Sequence, residues 1–116
     1  MRHRHKGRSF GRPKNQREAL LRSLARSLVL HERISTTEAK AKELRPVMEK
    51  IVTRARVDTV SNRRLVMARI GDAVATKKLF TAIGPRYKER SGGYLRIVKR
   101  SKSASDGRAQ AYIAFI

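Results

Sequence analysis

The strongest constraint on this chain is its charge imbalance. Lys and Arg number 29 against 9 Asp and Glu in 116 residues, which gives a formal net charge of +20. A compact fold with this charge repels itself, because the few carboxylates cannot neutralise it from within. A phosphate backbone would relieve the repulsion and add counterion-release free energy for each phosphate contacted. Nucleic acid is therefore the leading class of partner.

Composition also limits the other classes of partner. An anionic membrane surface is the competing polyanion, but basic residues interrupt every apolar run, so we expect no transmembrane segment and no membrane partner. Cysteine is absent, which removes disulfides and thiolate metal sites. Aromatic residues make up only 5% of the chain, which favours recognition of structured nucleic acid through its backbone and shape.

The first 17 residues contain no acid and scatter two glycines and a proline among basic side chains. Such a segment has almost nothing apolar to bury, so we expect it to stay disordered until it binds a partner. We predict an extended basic arm over residues 1–14 and a single domain over residues 15–116. The candidate nucleic-acid contacts of this arm and its junction are Arg2, His3, Arg4, Lys6, Arg8, Arg12, Lys14 and Arg17.

The rest of the chain predicts an α+β fold. Apolar residues recur at helical spacing in four segments, at about 15–30, 37–56, 61–70 and 72–83. Period-two or β-branched stretches predict strands at about 33–36, 94–100 and 109–116. We therefore expect about four helices packed against a small, mostly antiparallel sheet of about three strands, with the helices on one face.

Local signals refine the helices. Thr36-Thr37-Glu38 predicts the start of the second helix, with a Thr oxygen as its cap, and Ser61 or Asn62 is the candidate cap of the third. Pro46 removes a backbone donor and is expected to kink or divide the second helix. We expect the apolar residues of the third and fourth helices to be buried, and Gly84-Pro85 to end the fourth at Ile83; those residues are Leu65, Met67, Ile70, Val74, Leu79, Phe80 and Ile83.

No catalytic constellation stands out in the sequence. His3 and His5 lack a nearby carboxylate or thiolate to complete a metal site, and cations surround them. Glu43 and Glu49 have basic neighbours and are better explained by ion pairs. With no glycine-rich phosphate loop either, we predict no enzyme, no metal, no cofactor and no small-molecule substrate.

Several basic clusters follow the arm, and each is either a solvated surface or a phosphate contact. They are Arg63-Arg64, Lys77-Lys78, Arg86 with Lys88, and Lys99-Arg100 with Lys102. Tyr87 and Tyr94 lie near two of these clusters. They could stack on a base or sugar, or pack beneath the basic surface.

Four blocks of sequence together carry a family resemblance. They are Met1-Arg2-His3 with Gly7-Arg8, Glu32-Arg33-Ile34 with Thr36-Thr37, residues 39–46, and Pro85-Arg86-Tyr87 through Arg90 to Gly92-Gly93-Tyr94. In this order and spacing, the chain resembles the bacterial large-subunit ribosomal proteins of the L-seventeen family over nearly its whole length.

The resemblance implies a non-catalytic structural component of the large ribosomal subunit that binds large-subunit ribosomal RNA. It implies an α+β body, an N-terminal extension threaded into the RNA and neighbouring large-subunit ribosomal proteins. It adds Lys40, Lys42, Arg45, Arg86 and Arg90 to the candidate RNA-binding residues, beside Arg63 and Arg64. The expected location is a ribosome in the cytoplasm, an organellar ribosome being the alternative. A DNA-binding architectural protein or regulator is the alternative function.

Overall fold

The computed structural model of the protein describes residues 13–100 and 109–116, which form an α+β fold. Its helices and strands are α1 (Lys14–His31), β1 (Arg33–Thr37), α2 (Glu38–Ala55), α3 (Val60–Ile70), α4 (Ala73–Lys78), β2 (Leu95–Lys99) and β3 (Gln110–Phe115). The predicted fold class is confirmed. Residues 1–12, which make up most of the predicted arm, lie outside the described residues.

The three strands form one antiparallel sheet in the order β1–β3–β2. Ile34 of β1 lies opposite Ile113 of the central strand, which lies opposite Ile97 of β2. Because side chains alternate between the two faces of a strand, these three isoleucines share the face that packs against the core. Helix α1 packs against β1 and α2 packs against all three strands, so the helices cover the inner face as predicted.

Helix α2 begins where the sequence predicts it. The Thr37 hydroxyl accepts a hydrogen bond from the backbone N–H of Lys40 at 3.3 Å, which satisfies one of the free donors of the first turn. Pro46 lies inside this helix, yet α2 continues as one element to Ala55. The carbonyl of Lys42, which loses its usual donor at Pro46, belongs to an exposed residue, so water can replace that bond.

Helix α3 is capped by Thr59 rather than by Ser61 or Asn62. The Thr59 hydroxyl accepts from the backbone N–H of Asn62 at 3.0 Å, so the helix begins at Val60. The Asn62 side chain instead donates to the carbonyl of Val57 at 2.8 Å. The predicted cap of α3 is wrong because Thr59, Ser61 and Asn62 all have side chains that can cap a helix. The backbone decides between them, and Thr59 has the extended conformation of a capping residue.

The helical backbone continues beyond α4 through a π-helical turn (Leu79–Ile83) and a last turn (Gly84–Arg86). The predicted end at Ile83 is therefore one turn too early. Pro85 is the second residue of this last segment, a position near the start of a helical segment where its fixed φ is compatible with the helix. At Gly84 the backbone packs directly on the end of α2, since a β-carbon there would lie 2.2 Å from the carbonyl oxygen of Ala55.

The buried residues of the third and fourth helical segments match the prediction in part, since Ile70, Leu79, Phe80 and Ile83 are buried as expected. Leu65, Met67 and Val74 are exposed by 44%, 39% and 67%, whereas Val66 and Ile70 are buried. Val66 and Ile70 are four residues apart and therefore share one side of α3. Apolar residues occupy both sides of this helix, so their spacing alone does not select the buried side.

A partly buried polar contact joins α2 to the start of β2. The Glu49 carboxylate accepts from the backbone N–H groups of Tyr94 at 3.1 Å and Leu95 at 3.3 Å, whereas the sequence predicts an ion pair for this residue. The fully buried Tyr94 accepts from Arg56 Nη1 at 3.2 Å and donates to the carbonyl of Arg90 at 3.3 Å. These bonds fix the loop that carries Arg90 to the body.

Candidate nucleic-acid interface

The described residues hold nine of the predicted contacts on four different parts of the body. They are Lys14 and Arg17 on α1, Lys40, Lys42 and Arg45 on α2, Arg63 and Arg64 on α3, and Arg86 and Arg90 in and after the last helical turn. The other predicted contacts, Arg2, His3, Arg4, Lys6, Arg8 and Arg12, lie outside the described residues. The predicted set is therefore spread over the surface rather than gathered at one point.

Three of the predicted cations already have a carboxylate partner in the protein. Lys42 Nζ lies 2.8 Å from Glu38, Arg63 donates to both oxygens of Asp58 at 2.6 and 2.8 Å, and Arg86 Nη1 donates to Glu32 at 2.6 Å. In each case the hydrogen bond from the cation is the main reason that the pKa of the carboxyl is lowered. These three cations are partly neutralised and are weaker candidates for phosphate.

Glu32 forms a second ion pair that removes another cation from the surface. Lys78 Nζ lies 3.2 Å from Glu32 and 3.0 Å from the carbonyl oxygen of Leu30. Lys78 thus holds the end of α1, while its neighbour Lys77 remains exposed. Of the predicted pair Lys77-Lys78, only Lys77 presents its charge freely to solvent.

Lys42 and Arg45 line an open groove between α2 and the edge strand β2. The groove has a volume of about 950 Å³ and includes Gly93, Leu95 and Ile97 on its sheet side. Arg45 is exposed, and its side chain has no ion pair or hydrogen bond within residues 13–100 and 109–116. At this groove the fold brings together two of the predicted nucleic-acid contacts, Lys42 and Arg45.

A second basic surface lies between α3 and α4. It carries Arg63, Arg64 and Lys77 around the exposed apolar side chains of Val60 and Met67. Arg64 is exposed and has no ion pair to another described residue, unlike its neighbour Arg63. Arg64 and Lys77 are therefore the cations of this surface that are free for a phosphate.

The two tyrosines near the predicted clusters are structural. Tyr87 is 4% exposed and Tyr94 is fully buried, with their ring centres 5.2 Å apart, and the ring of Tyr87 also lies 6.4 Å from that of Phe115. Neither ring can stack on a base without unfolding the core around it. Of the two interpretations that the sequence leaves open, packing beneath the surface is the one observed.

The outer face of the sheet carries two arginines outside the predicted contacts, Arg33 and Arg96, together with Arg100 of the predicted Lys99-Arg100 cluster. Arg33, Arg96 and Arg100 are exposed there, and Tyr112 lies among them at the centre of the sheet. The period-two pattern of residues 94–100 already places Arg96 and Arg100 on one face. The position of Arg33 and Tyr112 beside them depends on strand pairing, which the spacing of residues in one strand does not reveal.

Across residues 13–100 and 109–116, His, Asp and Glu do not gather in any group of three that could hold a metal ion. None of the helices there combines the length and the apolar run that crossing a bilayer requires.

The sequence itself identifies the family. The family model described as Ribosomal protein L17 matches residues 20–116, which include all the strands and all but the first turns of α1. Proteins of this family are structural components of the large ribosomal subunit rather than enzymes. With its α+β body and its dispersed basic surfaces, this chain belongs to the ribosomal protein L17 family.

Proposed function

We propose that this protein binds large-subunit ribosomal RNA and stabilises its fold, using the arm of residues 1–14 together with the basic surfaces of the body. The arm would neutralise converging phosphates, while the body of residues 15–116 fixes where the arm enters the RNA. Neighbouring large-subunit ribosomal proteins are the other expected partners, and a ribosome in the cytoplasm is the expected location.

The partners of the carboxylate side chains within the protein support this proposal most directly. Glu32 and Asp58 hold arginines, Glu49 holds the backbone of Tyr94 and Leu95, and the Asp72 carboxylate accepts from a backbone N–H in the first turn of α4 at 2.8 Å. These carboxylates serve local contacts. Much of the cationic excess is left facing solvent, where an external polyanion can neutralise it.

Two adjacent arginines on α3 provide a matched test on the full chain. Arg64→Gln removes a free cation, whereas Arg63→Gln removes one that Asp58 already holds. We expect Arg64→Gln to weaken binding to large-subunit RNA more and to lower the slope of log K against log salt by about 0.7–0.9, the value for one phosphate contact. Equal effects of the two substitutions would contradict the use of this surface.

The arm is tested by charge removal. Replacing Arg2, Arg4, Lys6, Arg8 and Arg12 by Gln in the full chain should weaken RNA binding and reduce its salt dependence, with thermal unfolding unchanged. Unchanged affinity and salt slope would remove the arm from the proposal. Competition with excess duplex DNA at physiological salt tests the alternative, since displacement of the RNA would favour a DNA-binding protein.

A further inference from the structure

Within residues 13–100 and 109–116, no helix covers the outer face of the sheet, and the side chains of that face lie in rows across the three strands. In one row Ala114 of the central strand lies directly between Arg33 of β1 and Arg96 of β2. In the next row Tyr112 lies between Ser35 and Val98. Arg100 follows Val98 on the same face and extends the ladder, with its backbone N–H bonded to the carbonyl of Gln110 at 3.0 Å.

Tyr112 holds two of these arginines at the centre of the face. The guanidinium carbon of Arg33 lies 4.0 Å from the centre of the Tyr112 ring, and that of Arg100 lies 5.7 Å from it. Arg100 Nη1 also donates to the Ser35 hydroxyl at 3.0 Å. Contact with an aromatic face and a neutral hydroxyl orients the guanidinium groups without neutralising their charge.

The outer face differs from the inner one in its anions. Lys99, whose side chain belongs to the inner face, lies 3.4 Å from the Glu38 carboxylate. The strand residues of the outer face include no Asp or Glu, so Arg33, Arg96 and Arg100 have no carboxylate partner among the described residues. Arg33 and Arg100, which Tyr112 orients, and the exposed Arg96 therefore present three guanidinium groups without a carboxylate partner on the same face.

We propose that this outer face binds the phosphate backbone of an RNA strand, with phosphates contacted by Arg33, Arg96 and Arg100 and with Tyr112 as the positioning residue. The inference rests on the proposed function and adds a surface to it. Adjacent strands lie about 4.8 Å apart, so Arg33 and Arg96 are separated by about 10 Å at their Cα atoms. Their long side chains can converge on one phosphate or hold two successive ones.

An RNA backbone fits this face better than an acidic protein does. Stable protein interfaces have an apolar centre with large anchor side chains. Here the exposed large aliphatic side chain is Val98, at 44%, and Arg33 lies over the Tyr112 ring. Planar guanidinium groups with their outer N–H donors open to solvent match the oxygens of a phosphate.

Because Ala114 lies opposite both Arg33 and Arg96 in the strand register, a substitution at Ala114 tests this proposal. Ala114→Glu in the full chain places a carboxylate between Arg33 and Arg96, where it can pair with both, and Ala114→Gln adds the same bulk without the charge. If two phosphate contacts are lost, the salt slope for binding to large-subunit RNA falls by about 1.4–1.8 and affinity at 0.1 M salt falls about 30-fold. Ala114→Gln should bind as the unaltered protein does.

A second control separates a local effect from a change of net charge. Ala19→Glu adds the same charge at an exposed position in the first half of α1, away from the sheet, and we expect it to lower affinity less than threefold. Thermal unfolding of Ala114→Glu should occur at or above the temperature of the unaltered protein, since the new carboxylate gains cationic partners.

The outcomes distinguish the two proposals. If the unaltered protein does not bind the RNA, the proposed function fails and this inference fails with it. If the unaltered protein binds and Ala114→Glu binds like Ala114→Gln, the outer face is not an RNA site while the proposed function stands. If Ala114→Glu retains RNA affinity yet no longer enters large subunits, the face contacts a neighbouring protein and the inference is overturned.

Discussion

Replacing Gly84 by Ala tests the contact between the last helical turn and α2. The added methyl group would lie 2.2 Å from the carbonyl oxygen of Ala55, 2.8 Å from its carbonyl carbon and 2.9 Å from the carbonyl oxygen of Leu79. An ordinary carbon–oxygen contact is about 3.3 Å, so the backbones must separate by about 1 Å. All three atoms belong to the backbone, and no side-chain rotation can relieve the overlap.

The cost of this separation exceeds the gain in helix propensity. Overpacking a close contact costs about 1–3 kcal/mol, and rigid backbone on both sides favours the upper part of that range. Ala gains up to about 1 kcal/mol over Gly in a helix. We therefore expect the free energy of unfolding to fall by about 2 kcal/mol, a large share of the ~5–10 kcal/mol typical of a small domain.

Urea unfolding followed by far-ultraviolet circular dichroism measures this change. The unfolding midpoint of Gly84→Ala should fall while the slope stays the same, and thermal unfolding should shift down by about 10 °C. Ala82→Ser, at an exposed position of the same helical segment, is the matched control. A Gly84→Ala protein within about 0.5 kcal/mol of the unaltered one would refute the argument from close backbone packing.

Three further substitutions test other contacts of the body. Tyr94→Phe should lower the free energy of unfolding by about 1–3 kcal/mol, because it leaves the half-buried guanidinium of Arg56 without its hydroxyl acceptor; an unchanged urea midpoint would contradict this. Thr59→Ala should cost about 1 kcal/mol through loss of the α3 cap while Ser61→Ala costs almost nothing, and the reverse order would restore Ser61 as the cap. Glu32→Gln should cost about 1 kcal/mol at neutral pH, since this ion pair is partly exposed. The hydrogen bond from Arg86 lowers the pKa of Glu32, so its contribution is present above the unfolded-state pKa and is lost as pH falls through the lower folded-state pKa; a difference that persists in strong acid would be inconsistent with it.

The fold class could be predicted because the strongest local signals agree with the tertiary structure. Long helices such as α1 and α2 show a clear apolar side, and the start of α2 coincides with a Thr hydroxyl at the right offset. Short elements are different. In α3, Leu65 and Val66 are equally apolar neighbours, and only packing against the other helices decides that Val66 is buried.

The candidate site was less predictable, because charge along a sequence does not show which cations are free. Arg63 and Arg64 are adjacent and chemically identical, yet Asp58 holds only the first within the described residues. Arg86 is similarly paired with Glu32, which lies 54 positions away along the chain. The sheet surface around Tyr112 requires the pairing of β1 with β3, which joins residues too far apart for any local pattern to connect.

The position of β3 between the other strands has a consequence for folding order. In the part of the chain that the structure describes, β1 and β2 do not pair with each other, and each bonds to β3. During synthesis β1 is complete before α2 begins, but β3, the strand with which it pairs, is made only when residues 110–115 are added. Loop closure over this separation makes sheet formation a late and comparatively slow event. A chain that stopped at residue 109 would therefore lack the strand through which β1 and β2 are joined.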